Sequence, residues 1–202
     1  MSDSKINKET ISLVVMYRNL ITRLKRLIVT PQKEWGVIRN ENMPLNEVLG
    51  QYSLPLIGMY TAAVFIGYLL SHQGLDFEIA LKKAIFTFSS YFFGLYSAYF
   101  ILSKVMVLFR QEMEKEMIFK LVAFPSVIMY LVGTITALFP ETYFVGYFIN
   151  FYLVYLVWVG IEQVGISNKE AHVWQTILFS VVILVIPKLI QKLFVFISEL
   201  TL

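Results

Sequence analysis

AIFTFSSYFFGLYSAYFILS, residues 84–103, is twenty residues without an Asp, Glu, Lys or Arg, closed by Lys83 on one side and Lys104 on the other. At 1.5 Å per residue, a helix of about twenty residues covers the roughly 30 Å of hydrocarbon in a bilayer. Four more stretches have the same character: 48–75, 121–140, 142–161 and 171–187, of 28, 20, 20 and 17 residues. With 57% hydrophobic and 15% charged residues, a soluble chain of 202 residues would carry more apolar surface than it could bury. The sequence therefore predicts an all-α polytopic integral membrane protein with five transmembrane helices. An N-terminal amphipathic cytoplasmic segment, 1–44, precedes a transmembrane unit, 45–202.

The distribution of charge sets the expected orientation. Lys5, Lys8, Arg18, Arg23, Lys25, Arg26, Lys33 and Arg39 precede the first span. Lys104, Arg110, Lys115 and Lys120 lie between the second and third, and Lys169 precedes the fifth. The other side receives only Lys82, Lys83, Lys188 and Lys192. Basic residues concentrate in cytoplasmic loops, so the N-terminus is expected inside and the C-terminus outside. Residues 1–10 are polar and read as no secretory signal, which leaves the first span to act as an uncleaved insertion signal. The absence of cysteine excludes a disulfide, a thiolate nucleophile and a Cys-ligated metal.

Between 9 and 29, Leu13, Met16, Tyr17, Leu20, Leu24, Leu27 and Ile28 recur at helical spacing, with Arg18, Arg23, Lys25 and Arg26 among the remaining positions. Such a helix suits an anionic leaflet, its basic residues near headgroup phosphates. Packing against the cytoplasmic ends of the spans is a second, compatible reading. Thr30 and Pro31 mark a helix start, with Thr30 as N-cap and Pro31 in the first turn. Trp35 is expected at the membrane interface, its ring apolar and its N–H wet. Pro44 opens the first span, and Pro55 should bend it.

Ser90, Gly94 and Ala98, at four-residue spacing on a second helix over 77–109, form a small-residue stripe that marks a packing face. The charged run 110–116 reads as a solvated helix extension. The fourth span is rich in aromatics that suit lipid contact or packing. The fifth is expected to end at Pro187, leaving a tail that bends into the outer interface with Lys188 and Lys192 snorkelling.

Few residues suggest a reaction centre. His72 and His172 fall on opposite predicted faces, and no zinc-protease, nucleophile-elbow or phosphate-loop motif is present. Glu112, Glu114 and Glu116 sit on a polar stretch and read as solvated. Within the spans, Asn150 is a polar site of either interhelical bonding or transport. Lys104 and Glu162, at two cytoplasmic helix ends, form either a pair or two snorkelling side chains. No enzyme activity, cofactor or nucleic-acid partner is expected.

Several short motifs recur in a familiar order. Pro31, Trp35 and Ile38 precede the first span, and Tyr52, Leu54 and Pro55 stand at its entrance. Phe124-Pro125 lies in the third span, with Leu138, Phe139 and Pro140 at its end. Asn150, Tyr152, Tyr155, Gly160 and Glu162 run along the fourth, with Lys169, Glu170 and Ala171 beyond it. In this order and spacing, over about residues 27–187, the chain resembles the Yip family. The resemblance implies five spans and a cytoplasmic N-terminus. Its eukaryotic members are linked to Rab GTPases and vesicle trafficking. The short N-terminal segment here lacks their Asp-Leu-Tyr-Gly-Pro motif, so the chain looks more like the prokaryotic branch, which implies the bacterial cytoplasmic membrane.

The expected function is that of a non-enzymatic membrane protein that organises partners or shapes the bilayer. Its partners are membrane lipids and a protein at the cytoplasmic face, and a homo-oligomer stays open. The alternative is a small transporter or channel, with Asn150 and the serines of the second span lining a path.

Overall fold

The computed structural model describes residues 2–71, 76–108, 113–164 and 169–200, with side chains from residue 13 onward. His72 and its predicted turn, Arg110 to Glu112, and residues 165–168 lie outside the described residues. Among the described residues every regular element is helical. In order these are α1 (Ser2–Val29), α2 (Pro31–Asn40), α3 (Leu45–Val48), a π-helical turn (Leu49–Ser53), α4 (Leu54–Ser71), α5 (Phe77–Leu108), α6 (Lys115–Leu138), a single 3₁₀ turn (Pro140–Thr142), α7 (Tyr143–Val164) and α8 (Lys169–Leu200).

Five of these helical segments are long and apolar enough to cross a membrane: Leu45–Ser71, Phe77–Val107, Lys115–Leu138, Pro140–Val164 and Lys169–Leu200. The protein is thus an all-α polytopic chain. The first span is continuous through α3, the π turn and α4. Its wide turn stands directly before Pro55, which has no N–H to give to the helix ladder, and so takes up the distortion a proline ring imposes. The third span, α6, is the centre of the bundle and packs against all four others. Its residues Met117 to Tyr130 are buried without interruption, as a helix surrounded on every side requires.

The fifth span corrects the sequence expectation. Pro187 neither ends nor diverts it, and α8 runs on to Leu200. The reason lies on α5, where the ring of Pro187 sits directly against Gly94. A Cβ on Gly94 would stand 2.7 Å from Pro187 Cγ and 2.9 Å from its Cα. Gly94 thus clears the space that the proline ring fills. Ser90 and Ala98 are buried on the same face of α5. Farther along, the rings of Phe86 and Phe194 stack at 5.8 Å, which keeps the two helices in register beyond Pro187.

Ahead of the spans, α1 and α2 form a hairpin with Thr30 as its single connecting residue. Thr30 does not cap α2 with its side chain. It belongs to the last turn of α1 instead, where both its N–H and its hydroxyl donate to the carbonyl of Arg26, at 2.8 and 3.2 Å. Tyr152 holds the tip from midway along α7, its hydroxyl donating to the carbonyl of Ile28 at 2.7 Å. From the tip, α2 runs beside α7 toward the end of that helix. Gln32 donates to the Tyr155 hydroxyl at 2.6 Å, and Trp35 lies against Gly160. The hairpin therefore follows one half of the bundle lengthwise.

Candidate functional site

Two places gather polar groups, one on each half of the bundle. The first is the hairpin. Trp35 and Ile38 project from α2 into the spans and are fully buried, as is Leu27 from α1. The Trp35 indole meets Phe124 edge-on at 6.0 Å and packs on Gly160, where an added Cβ would stand 2.7 Å from the ring. This corrects the expectation that Trp35 sits at a membrane surface. Its partners are supplied by α6 and α7, so the ring is core, and its N–H has no hydrogen-bond partner among the described residues.

Charged groups brace the same corner. Arg23 Nε lies 3.3 Å from Glu34 Oε1, and a second nitrogen of the same guanidinium bonds the Glu41 carboxylate. Arg26 Nη1 is 3.8 Å from the other Glu34 oxygen. The Arg23 guanidinium also lies 5.7 Å from the centre of the Phe124 ring. Lys120 donates to the carbonyls of Ile38, at 3.1 Å, and Glu41, at 2.6 Å, closing the end of α2. Glu34 is almost wholly buried. That burial pushes its carboxyl above the ordinary value, Arg23 and then Arg26 oppose the rise without cancelling it, and Glu41 adds to it.

The four basic residues expected at a membrane surface are thereby divided. Arg23 is turned into the protein and is an internal strut, and Arg26 is only partly engaged. Arg18 and Lys25 are exposed. Beside them on α1 lies an exposed apolar flank of Val14, Tyr17, Ile21 and Ile28. These residues fall within one sector of the helix, bordered by Arg18 and Lys25. It is a different sector from the one carrying Leu20 and Leu27, which faces the bundle.

The second place is a cavity of about 480 Å³ in the other half of the bundle, between α6, α7 and α8. Asn150 of α7, Tyr60, Tyr91 and three residues from one face of α8, Lys188, Gln191 and Lys192, line it. Lys188 follows the residue packed on Gly94, and Gly94 stands ten residues from Lys104 and eleven from Lys83, at the middle of the charge-free run of α5. Lys192 lies one helical turn farther along. Neither lysine belongs to any ion pair among the described residues. Asn150 Oδ1 is buried with no hydrogen-bond partner among the described residues. A charged side chain at the centre of a membrane helix costs about 2.5–3.5 kcal/mol on insertion scales, so a pair of them inside a span marks a functional place.

Lys104 and Glu162 are both exposed and make no ion pair with each other. His172 contacts the Trp158 carbonyl through Nε2 at 3.0 Å, its ring 4.0 Å from the indole. Sequence reasoning missed the cavity because it placed Lys188 and Lys192 outside the membrane. The signal was present in the apolar stripe Leu189, Ile190, Leu193 and Phe194, which carries the hydrophobic character of the span past the lysines. Compared with protein-family models, curated proteins and solved structures, the chain matches none.

Proposed function

We propose that the protein is a non-enzymatic integral membrane protein that shapes the bilayer and organises partners on it, with the α1–α2 hairpin as a wedge in one leaflet. The observation that carries this is the position of the hairpin. It lies along only one half of the spans, reaches Tyr152 midway along α7, and turns the apolar flank Val14, Tyr17, Ile21 and Ile28 outward beside Arg18 and Lys25. A braced helix of that kind widens the protein in one leaflet, where its apolar flank meets acyl chains and Arg18, ten residues from Ile28 at the tip, meets anionic headgroups. The excess of basic residues on the hairpin side supports a cytoplasmic N-terminus and an outside C-terminus. The resemblance to the prokaryotic branch of the Yip family supports the bacterial cytoplasmic membrane and a protein partner recruited at the hairpin face.

The test uses full-length protein in vesicles of graded diameter containing anionic lipid. Enrichment on the smallest vesicles, reduced when Ile21 and Ile28 are both replaced by Asp, is the expected result. An environment-sensitive dye on Ile21→Cys, the only thiol in the chain, should report an apolar surrounding. Uniform distribution over vesicle size, with a water-exposed dye, would end the wedge proposal. The cavity on the other half of the bundle favours a second reading, a small transporter or channel, for which saturable uptake lost in Asn150→Leu would be decisive.

A further inference from the structure

The cavity between α6, α7 and α8 presents two ammonium groups, two amides and four phenol side chains to a single space. From this geometry we infer that it is a binding site for an anionic phosphate or carboxylate group. Lys188 and Lys192 are one turn apart on one face of α8, with Gln191 between them on the same wall. An anion in the space would receive charge-assisted hydrogen bonds from both lysines, the arrangement by which phosphate and carboxylate are usually held. Asn150 lines the same space from α7, where its amide can add a neutral hydrogen bond to a bound anion.

The size and lining fit a small group. About 480 Å³ falls within the range of sites for small molecules. Met129 and Val132 give one apolar wall, and the Tyr60 and Tyr91 rings pack edge-on at 5.1 Å to form another. The other two lysines of this half of the bundle are differently disposed. Lys83 lies 4.4 Å from the centre of the Tyr68 ring and Lys82 lies 5.8 Å from that of Phe86, and neither lines the cavity. Aromatic contact engages those two; Lys192 also borders a neighbouring groove with Lys83, but of the four lysines Lys188 and Lys192 alone line the cavity. The hairpin lies on the opposite half of the bundle, so the outcome for the wedge and the outcome here are separate.

The same chemistry could come from a soluble anion or from a lipid headgroup, and two arms distinguish them. In the first, the full-length protein in nanodiscs of phosphatidylcholine is titrated with sodium phosphate against sodium chloride at constant ionic strength. In the second, native mass spectrometry counts the lipid retained from discs of phosphatidylcholine and phosphatidylglycerol. Phosphate binding that weakens by about tenfold or more in Lys188→Gln/Lys192→Gln, and also weakens in Asn150→Leu, identifies a soluble anion. Preferential retention of phosphatidylglycerol that disappears in the same variants identifies a headgroup. In either case Lys82→Gln/Lys83→Gln should bind like the wild type, and Lys188→Arg/Lys192→Arg should retain binding, which shows that the altered helix still folds. Failure to bind either probe would overturn the assignment. So would an equal loss in Lys82→Gln/Lys83→Gln, since that is the behaviour of diffuse surface charge.

Discussion

Replacing Trp35 by Ala should release the hairpin from the spans. The indole is fully buried, meets Phe124 edge-on and fills the space above Gly160. In a water-soluble core such a truncation costs about 3–5 kcal/mol. Here an undocked Trp35 would enter lipid or the interface rather than water, so most of the hydrophobic part of that figure is absent. What remains is lost dispersion and the edge-to-face contact, the latter about 0.5–1.5 kcal/mol, for a total of about 2 kcal/mol. That is about a 30-fold rise in the opening equilibrium. Because the chain has no cysteine, Ile38→Cys places a single thiol at a fully buried position of α2. When closing is faster than labelling, the labelling rate follows the open population. Gly160→Ala should raise the same rate, because its new Cβ would stand 2.7 Å from the indole and 2.7 Å from Leu121 Cδ2. Combining the two changes should cost less than their sum, since the methyl then occupies space that the indole has left. Labelling of Trp35→Ala within about threefold of the parent would mean that Trp35 does not hold α2.

Two further outcomes follow from named contacts. Burial raises the docked pKa of Glu34 above 4.5, so the docked state binds its proton more tightly than an open, solvated state does. Docking is then strongest near and below pH 4.5 and weakens as pH rises through the docked value. Labelling of Ile38→Cys, corrected for thiol reactivity on a short peptide, should therefore fall between pH 7.5 and about 4.5. In Glu34→Gln that dependence should vanish, and a wild-type profile that is flat or reversed would contradict the assignment to Glu34. On the other contact, Gly94→Val should force α5 and α8 apart at Pro187 and cost about 1–3 kcal/mol. Thermal unfolding in detergent would show a lowered midpoint, whereas Gly58→Val, with nothing within 4 Å of an added Cβ, should leave it nearly unchanged.

The five spans were legible because exclusion of charge over about twenty residues is a property of the chain itself. Where the expectation failed, the deciding partner lay elsewhere in the sequence. Pro187 followed by Lys188 resembles a helix end on every local criterion. Only Gly94, on another helix, turns the proline into a packing element and carries α8 onward. Trp35 misleads in the same way. A tryptophan between a basic segment and the first span looks interfacial, and its burial depends on a glycine that α7 brings to it 125 residues later. The amphipathic pattern of α1 was readable, yet periodicity shows only that a face is apolar. It cannot say whether protein or lipid covers it, and here Leu20 and Leu27 face protein while Ile21 faces outward.

The distribution of partners separates the charges that build the fold from those that serve another purpose. Arg23 is paired with two carboxylates and the Lys120 ammonium donates to two carbonyls, and both sit where the hairpin joins the spans, so each has polar partners within the chain. Glu34 belongs to the same set, buried but flanked by Arg23 and Arg26. Lys188 and Lys192 share the second half of the bundle with an unpaired amide oxygen and have no carboxylate partner among the described residues. A span that needed only to cross the membrane would be more stable with leucine at both positions. The cavity they line gives that cost a use which packing alone does not, and it is there that the first substitutions should be made.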